Sequence, residues 1–151
     1  MKYRKIIFVD KSNTSRSVLA EGLFRKYWDS SNYLAIRSRG MVVLFPEPAN
    51  QKIVEIGRQK HVYLEQHEAK QLTEEDFSDS ALILVMMEQY KKKIYEEYPS
   101  AVNVYTIKEF VGENGDVDDP YGRDLLGYAE FATELERLVI RVVEKLEQEL
   151  V

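Results

Sequence analysis

The eight residues at positions 10–17, DKSNTSRS, are of the types that bind phosphate. They follow the apolar run at 6–9 and precede a stretch with helical spacing, so a tight turn between a strand and a helix is predicted. Backbone N–H groups from Lys11 to Ser15 can converge on one anion, to which the helix N-terminus adds about half a positive charge. Arg16 can add a planar, two-pronged donor to phosphate oxygens. The short side chains expected to brace the loop are those of Ser12, Asn13, Ser15 and Ser17.

A plainer interpretation of this segment is also open. Serine and asparagine are common helix caps, and Arg16 would then lie at the surface. Asp10 is the unexpected residue under the phosphate hypothesis, because a carboxylate in an anion-binding loop competes with the anion.

A second polar segment, GDVDDPYGRD at residues 115–124, offers an acid. It can be a turn that ends in an N-cap for the last helix. Alternatively, Asp119 lies at the same edge as residues 10–17 and acts as a general acid that protonates a leaving group. Tyr121 would then form a wall of a slot for a flat substrate.

Composition restricts the function classes. The 151 residues suggest one domain, residues 1–151, and the net charge of -5 argues against general affinity for nucleic acid or anionic membranes. The chain has no cysteine, which excludes disulfides, cysteine metal sites and thiol catalysis. Two histidines are too few for a metal site, and no metal or cofactor is predicted. The first apolar run is short for a signal peptide and no segment reaches the roughly 18 apolar residues of a membrane span, so a soluble cytoplasmic protein is expected.

Strand-like and helix-like segments alternate along the chain. This order predicts a parallel sheet covered on both faces, with a site outside the carboxyl ends of the strands. Asp10 lies at the end of the first predicted strand. The predicted strands are residues 3–9, 33–38, 81–86 and 101–105, and the predicted helices are residues 17–30, 48–60, 88–97 and 124–150, the last with an apolar side that ends at Leu150.

In the order of these segments the chain resembles the low-molecular-weight protein tyrosine phosphatases. The loop of that family runs Cys, any residue, Gly, Asn, any residue, Cys, Arg, Ser, Pro. The matching run here is residues 10–18, in which Asn13, Arg16 and Ser17 fit the pattern. The family's acid loop, Asp-Pro-aromatic-Gly, matches residues 119–122.

The resemblance implies a fold, an activity and a partner. The fold is a three-layer α/β/α arrangement with a four-stranded parallel sheet, flavodoxin-like or Rossmann-like. The activity is protein phosphatase, a hydrolase, and the partner is a phosphorylated protein side chain or inorganic phosphate. The phosphate-binding residues implied are Lys11, Ser12, Asn13, Thr14, Ser15, Arg16 and Ser17.

One bacterial branch is the most similar. Its members act on phosphoarginine and carry Thr between the Asn and the second Cys, as Thr14 does here. Residues 104–122 also resemble that branch. Thr14 and Tyr121 are therefore implied to line the substrate pocket, and phosphotyrosine stays open as the alternative to phosphoarginine.

The residues that differ from the family pattern lie in the loop that carries the catalytic residues of the family. Asp10 stands at the nucleophile position, Ser12 replaces Gly, Ser15 replaces the second Cys and Val18 replaces Pro. The loop donors would keep a carboxylate ionised, but its oxygen is a weaker nucleophile than sulfur, and it can fold onto Arg16 or the loop amides.

Two functions follow. In the first, the chain is a pseudophosphatase that binds phosphate without cysteine-type catalysis. In the second, it is a hydrolase in which Asp10 is the nucleophile, Arg16 stabilises the phosphoryl group and Asp119 is the acid, with Mg²⁺ as a conceivable assistant.

Overall fold

The computed structural model describes residues 2–29 and 32–149. Four strands form one sheet in the order β2-β1-β3-β4, and every neighbouring pair is parallel. The predicted four-stranded parallel α/β fold is therefore confirmed. The strands are β1 (Lys5–Asp10), β2 (Ala35–Gly40), β3 (Ala81–Val85) and β4 (Val104–Thr106). The helices are α1 (Arg16–Tyr27), α2 (Gln51–Gln59), α3 (Glu88–Glu97), α4 (Ile107–Phe110) and α5 (Leu125–Gln148), and a 3-10 turn lies at Glu74–Asp76.

Both faces of the sheet are covered. Every residue of β3 is buried, and because successive strand residues point to opposite faces, helices must pack on each side. α5 packs against α1 and α2, while α3 packs against β3 and β4. The apolar side of α5 is buried as its spacing predicts, through Leu135, Leu138, Val139, Val142 and Leu146. Leu150 lies outside the described residues.

The second strand begins two residues later than its prediction. The prediction of residues 33–38 started at Tyr33, which is exposed, whereas β2 buries Ile36, Ser38 and Gly40. Two of these three inward positions are not apolar, so the alternation that marks a half-buried strand is hidden in the sequence. Ser38 is tolerated there because its hydroxyl donates to Glu21 Oε1 at 2.6 Å.

The fourth strand is shorter than residues 101–105. Asn103 has a positive φ of 57°, a left-handed conformation that does not fit the extended backbone of a strand. Its side-chain amide donates to the carbonyl oxygens of Ser78 and Asp79 and so stabilises the turn before β3. The fourth strand therefore starts one residue later, at Val104.

Three helix starts differ slightly from prediction. α1 begins at Arg16, one residue early, α2 begins at Gln51 rather than near Pro48, and α5 begins at Leu125, one residue late. Asn50 fixes the second start, because its side-chain oxygen accepts the N–H of Lys52 at 2.9 Å and of Ile53 at 3.3 Å. No helix within residues 2–29 and 32–149 is long and apolar enough to cross a bilayer.

Candidate anion-binding site

The predicted phosphate loop lies where the strand order changes direction. β1 is flanked by β2 and β3, and the chain leaves its carboxyl end at Asp10 to enter α1 at Arg16. In parallel sheets, ligands bind outside the strand ends at such a point. The fold therefore places residues 11–15 where parallel α/β sheets commonly bind their ligands.

Asn13 is the pivot of the loop. It is fully buried and has a φ of 58°, a left-handed conformation that asparagine adopts more easily than most residues. Its side chain donates to Ser17 Oγ at 2.9 Å and accepts the N–H of Lys70 at 2.9 Å. His67 Nε2 lies 2.7 Å from its carbonyl oxygen. These contacts hold the loop in its turn from beneath.

Asp10 is bonded to the loop backbone and does not pair with Arg16. It is buried, and its two carboxylate oxygens accept the N–H groups of Asn13 at 2.6 Å and Ser17 at 2.9 Å. The carboxylate thus joins the middle of the loop to the first turn of α1. One oxygen serves each amide, which fixes the orientation of the side chain.

Arg16 is held from across the fold. Its side chain is only 2% exposed, and it donates to the carbonyl oxygen of Val117 at 2.9 Å and the hydroxyl of Tyr90 at 3.0 Å. The nearest oxygen of Asp119 is 3.7 Å from its terminal nitrogen. Tyr90 and Val117 were not expected from the sequence, because they lie 74 and 101 residues away and carry no local signal.

Several donors around this loop have no acceptor among the described residues. Arg16 Nε and the hydroxyl of Ser15 are buried without a hydrogen-bond partner in residues 2–29 and 32–149. In the described part of the chain, the backbone N–H groups of Ser12, Thr14, Ser15 and Arg16 also donate no hydrogen bond, although Ser12 is exposed and Thr14 is only partly buried. Buried donors are normally satisfied, so this concentration of unpaired donors makes the loop a candidate site for an anion.

These donors border a cavity of about 300 Å³. Four of the seven predicted phosphate-binding residues line it, together with Asp10, Asp119 and Tyr121. The remaining three do not: Lys11 is exposed, and Asn13 and Ser17 are buried beneath the loop. The lining residues are Asp10, Ser12, Thr14, Ser15, Arg16, Glu47, Pro48, Asn50, Asp119, Tyr121 and Tyr128.

The acid loop forms one side of the cavity. Asp119 Oδ1 accepts the N–H of Tyr121 at 3.0 Å, and the side chain of Asp119 is about half exposed. Tyr121 is 81% exposed at the rim. Asp124 caps α5 through the N–H of Gly127 at 2.9 Å, so the turn-and-cap interpretation and the cavity wall coexist in this segment.

Sequence reasoning missed a second wall. The cavity is also lined by Glu47, Pro48, Asn50 and Tyr128. The backbone N–H of Asn50 donates to the carbonyl oxygen of Thr14 at 2.9 Å, which attaches this wall to residues 11–15. Burial, with the negative charge of Asp119, raises the pKa of Tyr128. Within the described residues no group of three or more His, Asp or Glu side chains is arranged to hold a metal ion.

Comparison with known proteins identifies the family. Residues 5–151 match the family described as low molecular weight phosphotyrosine protein phosphatase. The protein-arginine-phosphatase of Bacillus subtilis is 34% identical, over 95% of this chain and 97% of its own. The low molecular weight protein-tyrosine-phosphatase PtpB of Staphylococcus haemolyticus is 31% identical, over 89% of this chain and 94% of its own.

A solved structure agrees with this assignment. It is a mutant of the arginine phosphatase YwlE with a phosphorylated active-site serine, 34% identical, with a TM-score of 0.88 over 95% of each chain. The agreement in sequence and in fold over nearly the full length shows that this chain belongs to the low molecular weight phosphotyrosine protein phosphatase family.

Proposed function

We propose that this chain is a pseudophosphatase, a family member that binds a phosphorylated protein side chain or inorganic phosphate without cysteine-based turnover. Asp10 takes the position of the family's nucleophilic cysteine, and the chain contains no cysteine that could replace it. The observation that carries the proposal is the set of unpartnered donors around the cavity.

The donors suit a tetrahedral anion. The Nε of Arg16 and the hydroxyl of Ser15 are buried and free beside the backbone N–H groups of Ser12 and Thr14. A buried donor without an acceptor costs about 1–3 kcal/mol, and an anion that accepts several of them removes that cost. The helix N-terminus of α1 adds a favourable field at the same place.

Asp10 does not accept hydrogen bonds from this set of donors. Its oxygens use the amides of Asn13 and Ser17, and neither Arg16 nor the four unpartnered amides are consumed by it. A thiolate at this position would carry the same formal charge, so the carboxylate adds no new repulsion relative to an ionised cysteine. Its oxygens are weaker nucleophiles, and their engagement by amides lowers their reactivity further.

A hydrolase that uses Asp10 is the second candidate. Asp10 lines the cavity, and the related YwlE mutant carries a phosphorylated serine in its active site, so an oxygen can receive a phosphoryl group in such a pocket. In this reaction a carboxylate oxygen bonds to phosphorus and the bond to the leaving group breaks, with Asp119 giving the leaving group a proton. Water then hydrolyses the acyl phosphate.

Binding and turnover are tested separately. Isothermal titration measures the affinity for inorganic phosphate, phosphotyrosine and phosphoarginine in the wild type, in Arg16→Lys and in Arg16→Ala. We expect binding that weakens in Arg16→Lys, which keeps the charge but loses the planar pair of donors. Circular dichroism establishes that each variant is folded. A folded wild type that binds none of the three ligands would overturn the proposal.

Turnover of p-nitrophenyl phosphate and phosphoarginine is then measured with and without Mg²⁺. We expect none above the Arg16→Ala variant. Turnover, together with a hydroxylamine-sensitive adduct at Asp10, would favour the hydrolase instead.

A further inference from the structure

An unusually apolar segment is exposed to solvent beside the cavity. Residues 41–46 read MVVLFP, and the side chains of Leu44 and Phe45 are 87% and 61% exposed. Together with Val42 and Val43 they form a groove of about 170 Å³. Contiguous exposed apolar surface of this kind is uncommon on a protein surface that has no binding role.

The segment is held in this position by ordered hydrogen bonds. The N–H groups of Met41 and Val42 donate to the carbonyl oxygens of Asp10 and Lys11, each at 2.9 Å. The N–H of Val43 donates to Gln71 Oε1 at 2.8 Å. The backbone that displays Leu44 and Phe45 is therefore fixed to the phosphate loop, and the apolar side chains do not fold back onto the core.

The groove and the anion-binding cavity are neighbours. Ser12 and Glu47 line both, so one ligand can occupy the two together. The cavity offers donors for an anion, and the groove offers apolar contacts. Glu47 at their boundary disfavours an acidic residue in between, because like charges repel at short range.

We propose that residues 42–45 bind a large apolar side chain that lies next to the phosphorylated residue of a protein partner. This inference rests on the proposed function, because the phosphoryl group anchors the partner in the cavity. The partner is a phosphorylated protein segment with leucine, methionine or an aromatic residue beside the modified residue, and neither free phosphate nor a free phosphoamino acid fills both sites.

Two pairs of peptides test this inference. Both peptides of one pair carry phosphotyrosine, and both peptides of the other pair carry phosphoarginine. Within each pair, the phosphorylated residue is flanked by leucine in one peptide and by serine in the other. Fluorescence anisotropy should show that the leucine-flanked peptide binds about tenfold more tightly, a difference that corresponds to about 1.4 kcal/mol. The Leu44→Ser, Phe45→Ser double variant should remove most of this preference.

A matched control separates the groove from a general loss of apolar surface. Tyr63 is 67% exposed and lines a different cavity, on the side of α1, so Tyr63→Ser should keep the full preference for the leucine-flanked peptide. The affinity for inorganic phosphate, measured in each variant, reports on the anion-binding cavity alone.

The outcomes are distinguishable. If phosphate binds but the two peptides of a pair bind equally, the groove proposal is overturned and the proposed function stands. If neither phosphate nor any peptide binds, the proposed function fails and this inference fails with it. If sedimentation shows self-association that Leu44→Ser abolishes, a second copy of this chain occupies the groove and the proposal is overturned.

Discussion

The carboxylate of Asp10 provides a direct test of how the loop is held. Its oxygens accept two buried N–H groups, from Asn13 at 2.6 Å and from Ser17 at 2.9 Å. In Asp10→Ala both donors lose their acceptor, and each loss costs about 1–3 kcal/mol in a buried place. We expect the free energy of unfolding to fall by roughly 3–4 kcal/mol. In a chain of this size, that change lowers the melting temperature by roughly 10 °C.

Guanidinium chloride unfolding followed by circular dichroism measures this effect. Asp10→Asn keeps one acceptor oxygen and should lose about half as much stability, because its NH₂ group can only donate. Asp79→Ala is the matched control: Asp79 is exposed, its carboxylate has no hydrogen bond or ion pair with the described residues, and its variant should stay within about 0.5 kcal/mol of wild type. Equal stability of Asp10→Ala and Asp79→Ala would refute the assigned role.

Three further results are expected. In urea unfolding, Asn13→Ala should lose about 2–3 kcal/mol through its lost side-chain bonds and a methyl group at positive φ, and Asn13→Gly should recover about 1 kcal/mol of this. Hydrogen bonds from Arg137 lower the pKa of Glu113 to about 2. A carboxyl whose pKa is lower in the folded state stabilises the protein at pH values above its unfolded pKa, and this contribution is lost as the pH falls. The stability difference between wild type and Glu113→Gln should therefore shrink between pH 4.5 and 2 in thermal unfolding. Finally, Asp10→Cys with Ser12→Gly should hydrolyse p-nitrophenyl phosphate faster than wild type, and no increase would contradict a preserved pocket.

The local features of the site could be predicted from sequence because they depend on neighbouring residues. An apolar strand followed by a polar turn and a helix predicts Asp10 at the carboxyl end of a strand, and the observed sheet order puts that end where the strand order changes direction. The same logic found β2 but placed it two residues too early. Its inward positions include Ser38 and Gly40, and a strand whose buried residues are small or polar has no periodic apolar signal.

The contacts that shape the loop could not be predicted, because they come from distant segments. His67 and Lys70 support Asn13 from 54 and 57 residues away, and Tyr90 and Val117 hold Arg16. A tyrosine hydroxyl or a backbone carbonyl becomes a partner only when the fold brings it to 3 Å. The sequence therefore indicates which residues have the right chemistry, while the tertiary structure decides which of their donors are already used.

This division of donors explains how a carboxylate can occupy a loop for which anion binding is proposed. Asp10 takes the amides of Asn13 and Ser17, and Arg16 Nε with the amides of Ser12 and Thr14 stays available to a ligand. The internal carboxylate supports the turn whether or not an anion is bound. Ordering of the loop then does not weaken ligand binding, because a preorganised site loses little conformational entropy when it binds. The role of Asp10 as a structural acceptor is thus compatible with the proposed binding of phosphate.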